Sequence, residues 1–425
     1  MGKMEGHILN FYEDLDMSFR DLMRVSKRLI NNRVSPVEEK MDGQNLTFTV
    51  TEDGTLKIFG KRLDEKILET RGSTWETIEE NYSEITREAF KSAYFVLRDH
   101  LSHFSQESLD AVFHKDRVVI ESAMMTPMTP VTIKYSSNHI RFIRAFSPYE
   151  IDTQSRAYQN DFKKITEKNL FYSDHSSRIW SVGPVPSLRN IADKSKRSKS
   201  ENYVREGVMS LINQFGSNLT LESRLRDYAT LSMAKYIKKN HPSIPEEIVP
   251  RVAKRITENG KKSFTVKHIK ELFPESYREI WAEIREIEKY ETLVLADAII
   301  DLEKLIQRIG SIIFDCLRFQ LATDFGQIAT LKREVRAVKK AHSKGKVRVF
   351  NSSTGEIYDL TPAWQKKLDV AIRRSESLNL LVKPVEGIVF QTPRGRRKLT
   401  GMFTAIHRLL GLFKFYTKNE RLTVV

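Results

Sequence analysis

A single cysteine in 425 residues, Cys316, excludes a disulfide framework and any zinc site built on several thiolates, and it suits a reducing compartment. No run of about 18 apolar residues occurs, so no membrane-spanning helix is expected. The opening Met1-Gly2-Lys3-Met4-Glu5-Gly6-His7 has no signal-peptide pattern, and a cytoplasmic protein without membrane contact is the expectation. The ten histidines form no His-x-x-x-His or His-Glu-x-x-His pair, which leaves zinc hydrolysis unsupported. A Gly-x-x-x-x-Gly-Lys-Ser/Thr loop is missing as well, against a P-loop ATPase, and the serine-rich 173–200 lacks a Gly-x-Ser-x-Gly elbow.

Positive charge, by contrast, is plentiful. There are 70 Lys+Arg against 55 Asp+Glu, a net +15, while 40% apolar and 29% charged residues give a globular balance. The surplus is uneven: −5 over 1–155, +11 over 156–268, zero over 269–345, +3 over 346–383 and +6 over 384–425. Two basic surfaces are expected, and a polyanionic partner with them. The length predicts two or three domains.

Apolar spacing of three and four predicts an amphipathic helix over 15–31 (Phe19, Leu22, Met23, Val25, Leu29, Ile30). The period then drops to two. Leu46–Val50 and Thr55–Phe59 around Asp53-Gly54 read as a hairpin, 75–100 as one helix, Val118–Glu121 as a strand, and 131–135 with 139–146 as a second hairpin. Ser, Pro, Gly and Lys over 173–200 read as a loop or linker, and 201–345 as nearly all helix with one long apolar stripe from Ile280 to Leu317. Strand character returns at 347–350 and 385–391. The expected fold is α+β: an N-terminal helical segment (1–35), the two halves of an antiparallel-sheet domain (36–155 and 346–425), a basic linker (156–200) and a large all-α insertion (201–345).

Four short pieces carry candidate chemistry. Glu39-Lys40-Met41-Asp42-Gly43-Gln44-Asn45 places a lysine between a strand and a hairpin, where a neutral amine could attack phosphorus; taken alone, it reads rather as a surface turn shaped by Asp and Gly. Glu121 ends a β-branched run, either as a ligand contact or as an edge glutamate. Glu386-Gly387-Ile388-Val389-Phe390 opens another strand with an acid and a glycine, the glycine allowing close backbone approach to a ligand. Arg394-Gly395-Arg396-Arg397-Lys398 is a cationic cluster or a solvated basic turn.

In this order the pieces resemble the covalent nucleotidyltransferase superfamily of ATP-dependent DNA ligases, RNA ligases and capping enzymes. The stretch from Glu386 to Lys414 is similar to ligase-like proteins of large tailed bacteriophages. The resemblance covers roughly 36–150 and 383–415 and implies a nucleotidyltransferase (adenylation) domain in which Lys40 takes AMP from ATP with Mg²⁺ bound. It further implies that Asp42 and Gly43 shape the nucleotide loop, that Glu39 sits beside adenine, and that Asn45 matches the Gly-x-Asn of some RNA ligases. Arg62 would touch ribose and phosphate, Glu121 the ribose hydroxyls, and Phe142 or Phe146 would stack on the base. Glu386 would hold the metal, while Lys398, with Arg396, would contact the α-phosphate. Position 391 departs from the pattern, with glutamine where lysine is common, and the chain ends too soon after Lys398 for a C-terminal OB domain. The implied function is ATP-dependent ligation of nucleic-acid ends, RNA rather than DNA. The alternatives are an inactive ligase-fold protein that binds nucleic acid or serves a phage structure, and an adenylyl- or guanylyltransferase acting on protein or RNA caps.

Overall fold

The computed structural model describes residues 8–11, 13–31, 33–34, 36–41, 43–60, 72–129, 135–258, 264–321, 327–375, 385–400, 403–414 and 419–425. Helix α1 (Phe19–Ile30) starts where Ser18 accepts from the Asp21 amide, and it buries Phe19, Leu22, Leu29 and Ile30 as its spacing predicts. Strands β1 (Val37–Lys40), β2 (Gln44–Val50) and β3 (Leu56–Phe59) follow, β2 and β3 joined through Gly54 at φ +81°. The single helix expected over 75–100 divides into α2 (Ile78–Asn81) and α3 (Glu84–Ser102), because Tyr82 and Ser83 adopt extended backbone between them. Helix α4 (Gln106–Phe113) leads to β4 (Val119–Met125) and β5 (Asn138–Phe146). The expected partner of β5, residues 131–134, lies outside the described residues; β5 pairs instead with β4.

Residues 156–200 depart most from expectation. In place of a linker they form α5 (Arg156–Thr166), β6 (Leu170–Ser173), β7 (Ile179–Pro184), β8 (Arg189–Asn190) and the start of α6 (Lys194–Asn213). The lysine- and serine-rich run is helical because Asp193 caps it, accepting from the Lys196 amide at 2.7 Å. Spaced residues Ser200, Val204, Val208 and Leu211 then face the core. Strands β6 and β7 complete a six-stranded sheet in the order β3-β2-β4-β5-β7-β6, antiparallel except between β5 and β7. Helix α3 buries His100 against the edge strand β6 and α5, its ring nitrogens meeting the Tyr172 hydroxyl at 2.9 Å and the Ile165 carbonyl at 3.0 Å; burial holds its pKa down at about 4.

The helical region continues with α7 (Leu225–Asn240), α8 (Val249–Thr257), α9 (Val266–Leu272), α10 (Tyr277–Lys289), α11 (Glu291–Ala298) and α12 (Ile300–Asp315). The long stripe is thus cut into three helices at Tyr290 and Ile299, both at non-helical angles. Strand β9 (Leu317–Arg318) pairs with β8, and Cys316 beside it is buried. Next come α13 (Gln327–Ser343), β10 (Val347–Asn351), β11 (Ile357–Tyr358), α14 (Pro362–Ser375), β12 (Gly387–Thr392), β13 (Gly395–Thr400), α15 (Phe403–Lys414) and β14 (Glu420–Val424). Two further sheets result, β1-β12-β13 and β11-β10-β14. The fold is α+β with mainly antiparallel sheets. Residues 347–358 do not extend the sheet that holds Lys40 but form a separate one with the chain's last strand. No described helix is long and apolar enough to cross a membrane.

Candidate active site

Strand β1 brings the first and last candidate motifs together. Its alternation sends Val37 and Glu39 to one side and Glu38 and Lys40 to the other. The register sets Lys40 opposite Gly387, and Glu38 opposite Val389, which is itself opposite Lys398. Glu38, Lys40, Arg396 and Lys398 therefore share a sheet face. On that face Lys40 Nζ donates to the Glu386 carboxylate, and Arg396 Nη2 donates to Glu38 at 2.8 Å. Lys398 is buried; that burial, and next the charge of Lys40, push its amine below the ordinary lysine value, while Glu13 and Glu386 oppose the shift.

The remaining edge comes from residues assigned by sequence to a separate helical segment. Lys398 N donates to the Leu9 carbonyl at 3.0 Å and Phe11 N to the Lys398 carbonyl at 2.9 Å. Phe11 sets its ring edge-on to Phe390 at 5.6 Å, and Asp14 pairs with Arg397 at 2.7 Å. Nothing in the composition of 8–14 distinguishes a sheet edge from a lead-in to α1. Gly387 has a different reason from the one expected. At φ +146° a Cβ would collide with the Leu399 carbonyl oxygen and lie 2.9 Å from Thr400 Cα, so the glycine admits the neighbouring strand rather than a ligand.

The six-stranded sheet holds the other candidates. Leu46, Phe48, Ile120 and Met124 turn one face to the apolar core, so Asn45, Thr47 and Glu121 occupy the opposite face. Gly43, just before β2, lets the chain pass closely: a Cβ there would lie 2.9 Å from the Met124 carbonyl. Glu121 is opposite Thr47 and Arg144 and is held by Arg144 Nε at 2.6 Å. A bulge at Glu121/Ser122 turns Phe142 into the core, 3% exposed and 5.9 Å from the Phe48 ring, which removes it as a base-stacking residue. Phe146, opposite Val119, remains on the Glu121 side, packed with Phe59 and Tyr149. Asp42 and Arg62 lie outside the described residues.

What the sequence reading missed on this face is Arg141, with His139 and Ser181. Arg141 donates to the Ser181 carbonyl at 3.1 Å, the Ser181 hydroxyl at 2.8 Å and His139 Nδ1 at 3.1 Å. Burial lowers its pKa to about 10, opposed by the charge of Glu39. Asn45 and Arg141 flank Ala123 across the ladder. Three buried polar atoms in this neighbourhood, Asn45 Nδ2, Thr47 Oγ1 and Arg141 Nε, have no hydrogen-bond partner among the described residues. Each costs about 1–3 kcal/mol unless a group with acceptors meets it. The period-two spacing of His139 and Arg141 is the signal in the sequence that sets them on one strand face.

No protein-family model and no curated protein matches this chain.

Glu39 does not share the Lys40 face. Its carboxylate is 5% exposed and accepts from the backbone amides of Gln320 at 3.0 Å and Leu321 at 3.3 Å, tying β1 to the exit of the helical region. Burial raises its pKa from 4.5 to about 7, against those two amides and the charge of Arg141. Between pH 4.5 and about 7 the folded chain thus holds a proton that the unfolded chain has released, and stability falls as pH rises through that window, by roughly 3 kcal/mol. Glu39→Gln keeps the acceptor and removes the charge. Thermal denaturation is expected to show the variant gaining on the parent between pH 5 and pH 8; parallel pH profiles would contradict this account.

The geometry suits phosphate chemistry better than a protein-caged metal. Among the described residues no three His, Cys, Asp or Glu side chains group as metal ligands. Mg²⁺ needs only one or two carboxylates when phosphates and water supply the rest, and Glu386 fits that demand. Lys40, Lys398 and Arg396 offer three cations to a polyphosphate.

Proposed function

We propose that the protein is an ATP-dependent polynucleotide ligase, acting on RNA ends rather than DNA through a lysyl-AMP intermediate. The observation that carries this reading is the meeting of Lys40 on β1 with Glu386, just before β12, and Lys398 on β13, both more than 340 residues later in the sequence, at one small sheet. A nucleotidyltransferase domain would then comprise that sheet and the six-stranded one. Lys40, once deprotonated, forms an N–P bond to the α-phosphorus while the bond to the β-phosphate breaks and pyrophosphate departs. Lys398 and Arg396 offset the charge gathering on the phosphate oxygens. Glu386 would hold Mg²⁺, which supplies further charge neutralisation when bound. The face bearing Asn45, Thr47, Glu121 and Arg141 supports a nucleoside site, since its donors that have no partner among the described residues call for acceptors and Glu121 can accept from ribose hydroxyls. AMP then passes to a 5′-phosphate, and a 3′-hydroxyl displaces it.

A second reading, a ligase-fold nucleic-acid-binding protein without catalysis, is favoured by Gln391 in place of lysine and by the burial of Phe142. Incubation with α-labelled ATP and Mg²⁺ separates the two. The expected result is label that stays with the denatured chain and is lost in Lys40→Ala. A chain that takes no label, or Lys40→Ala that still takes it, would overturn the ligase reading.

A further inference from the structure

The zero net charge of 269–345 conceals a strong separation. Between 327 and 346 seven lysines and arginines stand against one acid, Glu334, which is engaged by Lys414 at 3.0 Å. Helix α13 packs Leu331, Val335, Val338 and Ala341 into the core shared with β10, α14 and α15. Its opposite side exposes Arg333, Arg336 and Lys340, at spacings of three and four, and exposed Lys344 and Lys346 follow just beyond the helix end. None of these five makes an ion pair among the described residues. At 1.5 Å per residue the helical stripe from Arg333 to Lys340 runs about 10 Å, the length of about three phosphates along one strand of a duplex. The other lysine-rich helix start, in α6, is less free: Lys196 Nζ donates to the Asp315 carbonyl and Arg197 Nε to the Ala192 carbonyl.

The face offers charge and little else. Among the described side chains of α13, residues 329–343, no large apolar one is exposed to enter a bilayer as an amphipathic membrane helix would, and no aromatic anchor marks a protein interface. Contacts of that kind suit a nucleic-acid backbone, which is held by phosphate neutralisation without base readout. The stripe also belongs to the unit that adjoins the candidate site. Met41, next to Lys40, packs against the same core, and α15 carries Arg408, whose charge acts on Lys398.

We propose that Arg333, Arg336, Lys340, Lys344 and Lys346 form a surface that binds a polynucleotide backbone and holds the strand whose end reaches Lys40. Only the fate of that end rests on the ligase reading. The test uses the full chain and its Arg333→Gln/Arg336→Gln/Lys340→Gln variant, with binding of a fluorescent 5′-phosphorylated oligonucleotide followed from about 50 to 200 mM salt. Glutamine keeps helix propensity, so circular dichroism and the melting temperature should be retained. With three phosphate contacts removed, the slope of log K against log salt is expected to become shallower by about two to three, and affinity at the lower salt to fall at least tenfold. An unchanged slope and affinity would overturn the proposal. So would wild-type binding to phosphatidylserine vesicles, or to polyglutamate, as tight as to the oligonucleotide. Labelling from ATP is a separate readout: if the wild-type chain takes no label but the variant loses the oligonucleotide, the ligase reading falls and the surface stands.

Discussion

On the proposed ligase reading, Lys398→Met is expected to slow the transfer of label from ATP to Lys40 by roughly 10²–10³-fold, the usual loss when one group that stabilises developing charge is removed. Arg396→Met is expected to cost less than about tenfold. The two cations sit two residues apart on one strand face, so the difference comes from their surroundings. Arg396 is already paired with Glu38 at 2.8 Å, its side chain is 26% exposed, and solvent screens what it offers a phosphate. Lys398 is 8% exposed and next to Lys40, and its ammonium is held there against its own desolvation. The anionic α-phosphate arriving beside it relieves that cost, so binding the charge and stabilising the buried amine act in the same direction. Methionine fills a similar volume without charge and leaves the Lys40–Glu386 contact in place. Initial labelling rates at saturating ATP would decide the matter: equal losses at the two positions would mean that burial confers nothing on Lys398.

The sequence carried local structure further than long-range structure. Helix α1 and the Leu46–Phe59 hairpin were legible because a 3.6-residue or two-residue apolar period needs only its own side chains to be recognised. Lys194–Lys199 was misread because serine and lysine are common in loops, and the single capping bond from Asp193 that makes the run helical has no strong compositional signature. The convergence of Lys40 with Glu386 was expected from resemblance alone, since no periodicity links residues so far apart. Phe142 failed for a precise geometric reason: one extra residue in β5 at the bulge reverses which side chains face the core, and a strand read as regular alternation cannot reveal it. The pairing of Leu9–Phe11 with Lys398 was illegible because the bonds that join them are main-chain and carry no side-chain signature.

Gly387→Ala is expected to destabilise the chain by about 3–5 kcal/mol, among the largest effects of a single methyl group. Two costs combine. At φ +146° a β-carbon forces the backbone into a region that side chains rarely adopt, costing about 1–3 kcal/mol. The methyl also meets the backbone of Leu399 and Thr400, which cannot swing aside as a flexible side chain would, and overpacking of this kind adds about 1–3 kcal/mol. Gly355→Ala separates the two: it is also a positive-φ position, at +74°, but nothing lies within 4 Å of its β-carbon. That variant should lose only about 1 kcal/mol. Chemical denaturation of both variants beside the parent gives the comparison, and similar losses at the two sites would show that β13 does not press on Gly387. The same substitution has a functional consequence on the proposed reading, because Gly387 is the direct partner of Lys40 and follows Glu386. Widening the gap between β12 and β13 moves Glu386 and Lys398 apart, so folded Gly387→Ala should also label slowly, while Gly355→Ala should label at the parental rate.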